Sequence, residues 1–377
     1  MISRMLQEVI RQKMFKGKAI LIIGPRQSGK TTLLRLLESD VREKVLYLNC
    51  DEPDIRNLLT DVTSSSLRHL IGNAKVVMID EAQRVKNIGL TLKLIVDNLT
   101  GIQVIATGSS AFELSSEMNE PLTGRKWEYR LLPFSTQELT RHSGMIEEQR
   151  LLKHRLVYGM YPDVVTHFGE EREILVNLTG SYLYKDIFTF QDVRKPEVIE
   201  KLLEALALQV SSEVSYNELG QLVQVDPSTV QRYIDLLEKA FVVFRLRSFS
   251  RNVRNELKRS QKIYFYDNGI RNALIANFNP PETRTDRGAL WENFLVSERT
   301  KLLCNNQIYA NQFFWRTKQQ QEIDYIEDSA GVLAAYEFKV NPQKKAWFPK
   351  TFLENYPDHT THTITPDNYL QFLTADA

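Results

Sequence analysis

Apolar residues fall in short blocks along the first 140 positions, with polar helical stretches between them. The blocks at 19–24, 45–49, 75–80, 103–107 and 127–131 are mostly apolar and β-rich, which predicts strands buried in a sheet. Between them, 31–37 and 89–98 carry apolar residues at helical spacing. Strands alternating with helices predict βαβ units and a mostly parallel sheet. Pro133 closes this block, and Pro133-Phe134-Ser135 precedes a predicted helix at 136–142. Residues 145–195 read as helices broken at Gly159-Met160-Tyr161-Pro162, and 196–240 as further helices ending in a β-like run at 241–246. Strand character returns at 263–266, 313–316, 323–326 and 332–338, with a strong helix at 290–303.

Composition narrows the class. Apolar residues are 42% and charged residues 25% of 377, the balance of an ordinary globular protein. The formal net charge is +1, so any affinity for a polyanion has to be local. Two cysteines, Cys50 and Cys304, build no disulfide framework, and a reducing, cytoplasmic setting is expected. No apolar run approaches the roughly 20 residues that cross a bilayer, so no membrane partner is expected. Residues 1–18 carry Arg4, Glu8, Arg11, Lys13, Lys16 and Lys18 and contain no apolar h-region. They predict an amphipathic helix rather than a secretory signal.

The first chemical motif is Gly24-Pro25-Arg26-Gln27-Ser28-Gly29-Lys30-Thr31, followed by Thr32. It has the G-x-x-x-x-G-K-[ST] form of a phosphate-binding loop, with a strand running in and a helix running out. The glycines let successive N–H groups face phosphate oxygens, and the helix adds its positive end. Lys30 is expected on the β- and γ-phosphates of ATP, and the Thr31 hydroxyl on Mg²⁺. The second motif, Val76-Val77-Met78-Ile79-Asp80-Glu81, ends a buried strand in two carboxylates. Asp80 is expected to hold Mg²⁺ through water, and Glu81 to act as general base on the attacking water. Thr107 and Ser109, at the tip of the strand 103–107, are candidates to touch the γ-phosphate or that water. An ordinary capping serine before 111–114 is the other reading of Ser109. Arg125 offers a guanidinium for transition-state charge, in cis or from a second copy in a homo-oligomer, or else is a surface arginine.

The runs GPRQSGKTT, VVMIDEAQRV, ATGSS and LTGRKWEYRLLPFSTQEL resemble the prokaryotic AAA-type "ATP-binding protein" family. The later runs GMYP at 159–162, YLYKDIF at 182–188, KIYFYDNGI at 262–270 and GALWENF at 288–294 agree with it. The resemblance implies an N-terminal AAA-type ATPase domain and a C-terminal domain of unknown function.

Two further patterns bear on what the ATPase serves. Residues 216–222 and 228–240 predict two helices joined by a tight turn, with Asp226 as cap and Pro227 at the first helical position. With the β-run behind them they predict a winged helix-turn-helix, and Ser228, Thr229, Gln231 and Arg232 would face DNA. Arg245, Arg247, Arg251, Arg254, Arg259, Lys258 and Lys262 are opposed only by Glu256 over 245–262. DNA contact through 228–262 is therefore one expectation, and a basic face turned toward the protein's own acidic parts is the other. Downstream, Glu292 on a helix, Asp324 on a strand and Glu337-Phe338-Lys339 on the next resemble the PD-(D/E)xK nuclease order. Glu292, Asp324 and Glu337 would hold Mg²⁺, with Lys339 on the same strand face as Glu337 as a catalytic cation. The order departs from the motif in having no Pro-Asp pair. The histidines make no zinc pattern beyond His359 and His362.

The expected architecture is α/β in four parts. A P-loop NTPase core with a parallel sheet spans 1–140, and a helical lid or linker 141–195. A winged helix spans 196–255, and a nuclease-like α/β domain 256–377. The expected function is a Mg²⁺-dependent ATPase, turning ATP to ADP, that acts on or near DNA. The alternative is an ATP-driven switch that binds a protein partner, with an inactive nuclease-like domain.

Overall fold

The five apolar blocks become five strands in the computed structural model: β1 (Ala19–Ile23), β2 (Val45–Asn49), β3 (Val76–Asp80), β4 (Gln103–Gly108) and β5 (Lys126–Arg130). Residues 2–109, 120–182, 196–250 and 260–374 are described. They divide into two units, one built mainly on the first 133 residues and the other on nearly all that follows.

In the first unit the strands lie in the order β2-β3-β4-β1-β5, and every pair is parallel. Every residue of β1, β3 and β4 is buried, which explains why these runs show no polar alternation. Because all strands point one way, the residues that follow β1, β3 and β4 gather along one sheet edge. β4 lies between β1 and β3, so its last residues stand between the loop after β1 and the carboxylates that end β3. The helix Met5–Lys13 buries Leu6 and Ile10 in one cluster with Leu33, Leu34 and Leu37 of the helix Lys30–Asp40. Truncating a fully buried member such as Ile22 to alanine is a loss of about 2–5 kcal/mol.

The second unit carries a seven-stranded sheet in the order β12-β11-β10-β9-β7-β8-β6. Its strands are β6 (Glu213–Val214), β7 (Val243–Ser248), β8 (Gln261–Phe265), β9 (Asn311–Arg316), β10 (Glu322–Ser329), β11 (Val332–Phe338) and β12 (His359–Ile364). The helices Tyr216–Val223 and Pro227–Lys239 form as expected from the sequence. The strands behind them make no free-standing wing. β7 pairs antiparallel with β8 on one side and parallel with β9 on the other, through Arg247↔Phe313 and Ser248↔Phe314. The expected boundary at 255/256 therefore falls within one continuous sheet. The expected boundary at 140/141 falls inside the helix Thr136–Ser143, which belongs to the second unit.

The stretch expected as a lid or linker is pinned into this unit as far as it is described. Met160 N–H donates to Asp267 at 2.7 Å, and Asn272 donates to the Val157 carbonyl at 2.8 Å. Gly159 has φ +71, and a Cβ there would stand 2.0 Å from an Asp267 oxygen. Only glycine fits. Asn293 in turn holds both the N–H and the carbonyl of Phe265 and donates to Asn268 at 2.6 Å. The runs GMYP, YDNG and WENF, far apart in sequence, are thus partners in one buried polar network. Each buried amide has its hydrogen bonds, which is the condition for tolerating it.

Candidate functional site

The loop after β1 is shaped by its own residues. Gly24 packs against β5's continuation so closely that a Cβ would meet the Leu131 carbonyl oxygen at 2.1 Å. Gln27 and Gly29 take left-handed backbone, at φ 59 and φ 90, and Gly29 caps the helix Lys30–Asp40. Lys30 is buried, and its ammonium donates to the carbonyls of Gly24 at 3.0 Å and Pro25 at 2.7 Å. The Ser28 hydroxyl is buried with no hydrogen-bond partner among the described residues. Gln27, Thr31 and Thr32 are exposed, while Arg26 is half-buried. An orphaned hydroxyl and an ammonium resting on loop carbonyls, at a helix N-terminus, are donors suited to phosphate, and a threonine hydroxyl oxygen there could ligate Mg²⁺. Arg4 holds the loop from outside, donating to the Ser28 carbonyl at 2.8 Å and the Leu132 carbonyl at 2.7 Å.

At the end of β3 the Asp80 carboxylate is buried and receives two hydroxyl hydrogens. One comes from Tyr47 on β2 at 2.7 Å, and the other from Thr107 on β4. The Thr107 oxygen also accepts the Glu81 N–H at 3.1 Å. Glu81 itself sits in left-handed backbone, φ 53, and its carboxylate accepts from Gln83 at 2.6 Å. A non-glycine residue in that region is strained by about 1–3 kcal/mol, which recurs at working sites. Burial first, then the bond to Asp80, pushes the Tyr47 hydroxyl far above the ordinary tyrosine range, so it stays a donor. Arg35 lies 3.6 Å over the Tyr47 ring. Ser109 is buried one residue beyond β4.

The second group lies on the sheet of the other unit. Lys262 on β8 is buried, with its ammonium 3.0 Å from Glu292 and 2.6 Å from Glu322. Tyr264, two residues on and on the same strand face, donates to the same Glu292 oxygen at 2.7 Å. Asp324 lies where the β9–β10 register shifts between Ile323 and Ile326. It accepts the Phe338 N–H at 2.8 Å. Glu337 is paired with Lys339 at 2.5 Å. Burial pushes the Glu292 carboxyl up to about 7 against the pull of Lys262, and burial with the nearby Asp324 charge does the same to Glu337. Burial also raises Asp324. For Lys262, burial pulls the other way, and Glu292, Glu322 and Asp324 together outweigh it, so the ammonium is held charged. Among the described residues no three His, Cys, Asp or Glu side chains form a group suited to a metal ion. Around the expected trio Glu292, Asp324 and Glu337 stand Lys262, Lys339 and the Phe338 N–H.

Residues 16–140 match the family model described as "AAA domain". Residues 149–281 and 287–371 match two domains of unknown function, DUF8612 and DUF4143. The chain joins an AAA domain to a DUF4143 domain. Its relatives include an uncharacterized protein of Mycobacterium tuberculosis, 27% identical over 335 residues, covering 88% of this chain and 72% of that one. Another, from Haemophilus influenzae, is 28% identical over 308 residues, covering 73% of this chain and 74% of that one. Among solved structures, the Walker-type ATPase of Pyrococcus abyssi superposes with TM-score 0.46 and 16% identity, over 73% of this chain and 96% of that one. The AAA domain is a P-loop ATPase fold that binds ATP. The two family models to its C-terminal side divide a single sheet: β6 to β8 fall in DUF8612 and β9 to β12 in DUF4143.

Other expected site residues are placed less simply. Arg125 of the AAA domain is exposed and paired with Asp97 at 2.7 Å. The described members of the basic run at 245–262 do not share one face. Arg245 is held by Asp235 and Glu238, Lys262 is buried in the carboxylate group, and Arg247 is exposed. Arg251, Arg254, Lys258 and Arg259 lie outside the described residues, as do Ser110, the run 111–114 and most of 182–188. On the helix Pro227–Lys239, Gln231 and Arg232 are exposed, while the Ser228 and Thr229 hydroxyls bond to the cap Asp226. Glu298, on the same helix as Glu292, is buried and serves structure. It accepts from Thr136 N–H at 2.6 Å and from Lys301 at 2.6 Å. Three residues escaped sequence reasoning: Arg4, Tyr47 and Lys262. Lys262 carried a signal as part of the basic run, and its partners Glu292 and Glu322 are the protein's own acidic groups, the kind the second expectation for that run names.

No described helix is long and apolar enough to cross a membrane.

Proposed function

We propose that the AAA domain hydrolyses ATP with Mg²⁺ and uses the cycle as a switch on what the second unit binds. The observation that carries this is the Thr107 oxygen, which accepts the Glu81 N–H while its own hydrogen goes to Asp80. One hydroxyl thereby fixes the carboxylate proposed to hold the metal and the backbone of the one proposed as base. Lys30, Ser28 and the loop N–H groups bind and orient the phosphates. Thr31 and, through water, Asp80 would hold Mg²⁺, which supplies positive charge to the β- and γ-phosphates when bound. Glu81 accepts a proton from the attacking water. Ser109, beyond β4, is a further polar group for the γ-phosphate.

Two variants test this reading. Lys30→Ala should abolish turnover and weaken ATP binding. Glu81→Gln should bind ATP normally while turnover falls on the order of 100-fold, the scale of a lost general base. Wild-type turnover in Glu81→Gln would remove Glu81 from the chemistry.

A second reading, action on DNA, is favoured by the helix pair 216–239 with Gln231 and Arg232 exposed near the start of its second helix. It predicts ATPase stimulation by DNA that fades as salt is raised. No stimulation at any salt leaves the switch, with a protein partner.

A further inference from the structure

We infer that Lys262 is the resident cation of the carboxylate group on the second sheet, so that this nuclease-like arrangement takes no divalent metal. The inference does not depend on ATP hydrolysis. Four carboxylates converge on this part of the sheet, from the helix Arg287–Asn305 (Glu292), from β10 (Glu322 and Asp324) and from β11 (Glu337). Carboxylates gathered partly out of water need counter-charge, which a metal ion supplies in a metal site. Here the protein supplies two ammonium groups. The Lys262 ammonium bridges Glu292 and Glu322, and Lys339 pairs with Glu337. Asp324 receives the Phe338 N–H.

Lys262 is not free to leave. Its backbone is paired on both sides, with Leu246 of β7 and Glu213 of β6. Its side chain is 3% exposed, and its ammonium lies 5.3 Å from the centre of the Phe314 ring. The Tyr264 hydroxyl donates to the same Glu292 oxygen as Lys262, so that oxygen has two hydrogens directed at it. A divalent ion placed among these carboxylates would face the Lys262 ammonium, held on a strand that is paired on both sides, and like charges at such range disfavour it. The group is built as an ion-pair network that shapes the sheet face.

Mn²⁺ binding by the full chain without nucleotide, followed by electron paramagnetic resonance of the free ion, tests the inference. Wild type and the Asp324→Asn, Glu337→Gln double variant should bind the same amount, since any metal on the AAA domain is common to both. Lys262→Met removes the ammonium and keeps the stem, and should gain one bound Mn²⁺ per chain. That gain should disappear when Glu292→Gln is added. A Mn²⁺ ion that wild type binds and the double variant loses would overturn the inference, and so would a folded Lys262→Met that gains none. If Lys262→Met does not fold, the comparison of wild type with the double variant decides alone.

Discussion

Asp80 ends the buried strand β3 and Glu292 faces β8 from the helix Arg287–Asn305, yet the neighbours of these two carboxylates differ in kind. Asp80 receives hydrogens from two hydroxyls, Tyr47 and Thr107. Hydroxyls orient a carboxylate and leave its negative charge in place. Glu292 also receives a hydroxyl hydrogen, from Tyr264, but beside it stands the Lys262 ammonium, which cancels its charge. The first arrangement leaves a fixed anion for a cation to meet. The second already has an ammonium beside it. Residue type alone therefore does not define a metal site; the charge of what surrounds the carboxylate matters as well.

The largest expected effects separate chemistry from stability across these two units. Asp80→Asn should lower ATP turnover on the order of 100-fold, because an amide lacks the charge proposed to hold Mg²⁺, while the fold stays intact. Glu298→Ala, in the second unit, should do the reverse in kind. It leaves Lys301 buried without its carboxylate, which costs about 3–5 kcal/mol and lowers the unfolding midpoint. Paired measurements of turnover and urea unfolding check both. A stable Glu298→Ala would mean that this carboxylate is not the anchor its contacts indicate.

The next step down is the pair of hydroxyls on Asp80. Thr107→Val keeps shape and removes the bond to Asp80 and the acceptor for Glu81 N–H. Turnover should fall about tenfold or more, with an unpaired buried group costing about 1–3 kcal/mol. Tyr47→Phe removes one hydroxyl alone, and its effect should be smaller, a few-fold rise in the Mg²⁺ needed for tight ATP binding. Titration of nucleotide affinity against Mg²⁺ reads it directly. If Tyr47→Phe is the more severe, the β4 tip is not the main support of Asp80.

Which of these features could be read in the sequence follows from how local they are. The phosphate loop is one uninterrupted run between a strand and a helix, so all of its chemistry stands together in the chain. The Asp80–Glu81 pair marks itself by ending four apolar residues. Tyr47 and Arg4 gave no signal because they reach their partners 33, 24 and 128 positions away. β12 was missed because it is a parallel partner of β11 at the end of the sheet order, half-exposed and built of His and Thr rather than alternating apolar residues. Lys262 was read as part of a basic stripe because a charge run looks solvated until the fold shows which members point inward. The winged-helix expectation located its two helices but could not show that β7 joins β9, since that pairing spans some sixty residues of sequence.

The acidic pH range offers a graded test of the second unit. Burial, the larger cause, raises Glu292 to about 7 despite the attraction of Lys262. An unfolded glutamate titrates near about 4.3. Between those values the folded chain holds more protons than the unfolded one, so this group's stabilising contribution is full below about 4.3 and is lost as pH rises toward 7. Glu292→Gln has no such proton to lose. Wild type should therefore lose about 2 kcal/mol more than Glu292→Gln between pH 5 and pH 7.5, measured by urea unfolding at each pH. Equal pH dependence would mean that Lys262 holds Glu292 ionised throughout, which strengthens the pairing and removes the burial effect.

Arg125 should show the smallest effect, and the same reasoning about charge explains why. Its guanidinium is 2.7 Å from Asp97, with both side chains more than a third exposed. An exposed pair of this kind contributes about 0–1 kcal/mol, so Arg125→Ala should leave unfolding almost unchanged. Asp97 also cancels the charge that a phosphate would need, as Lys262 cancels that of Glu292. In dilute protein, turnover per chain should match wild type. A role in trans would appear as a rate per chain that climbs with protein concentration, and Arg125→Ala should flatten that climb. Lost activity at every concentration would place the guanidinium on the nucleotide of its own chain, and would mean that the Asp97 pair opens during turnover.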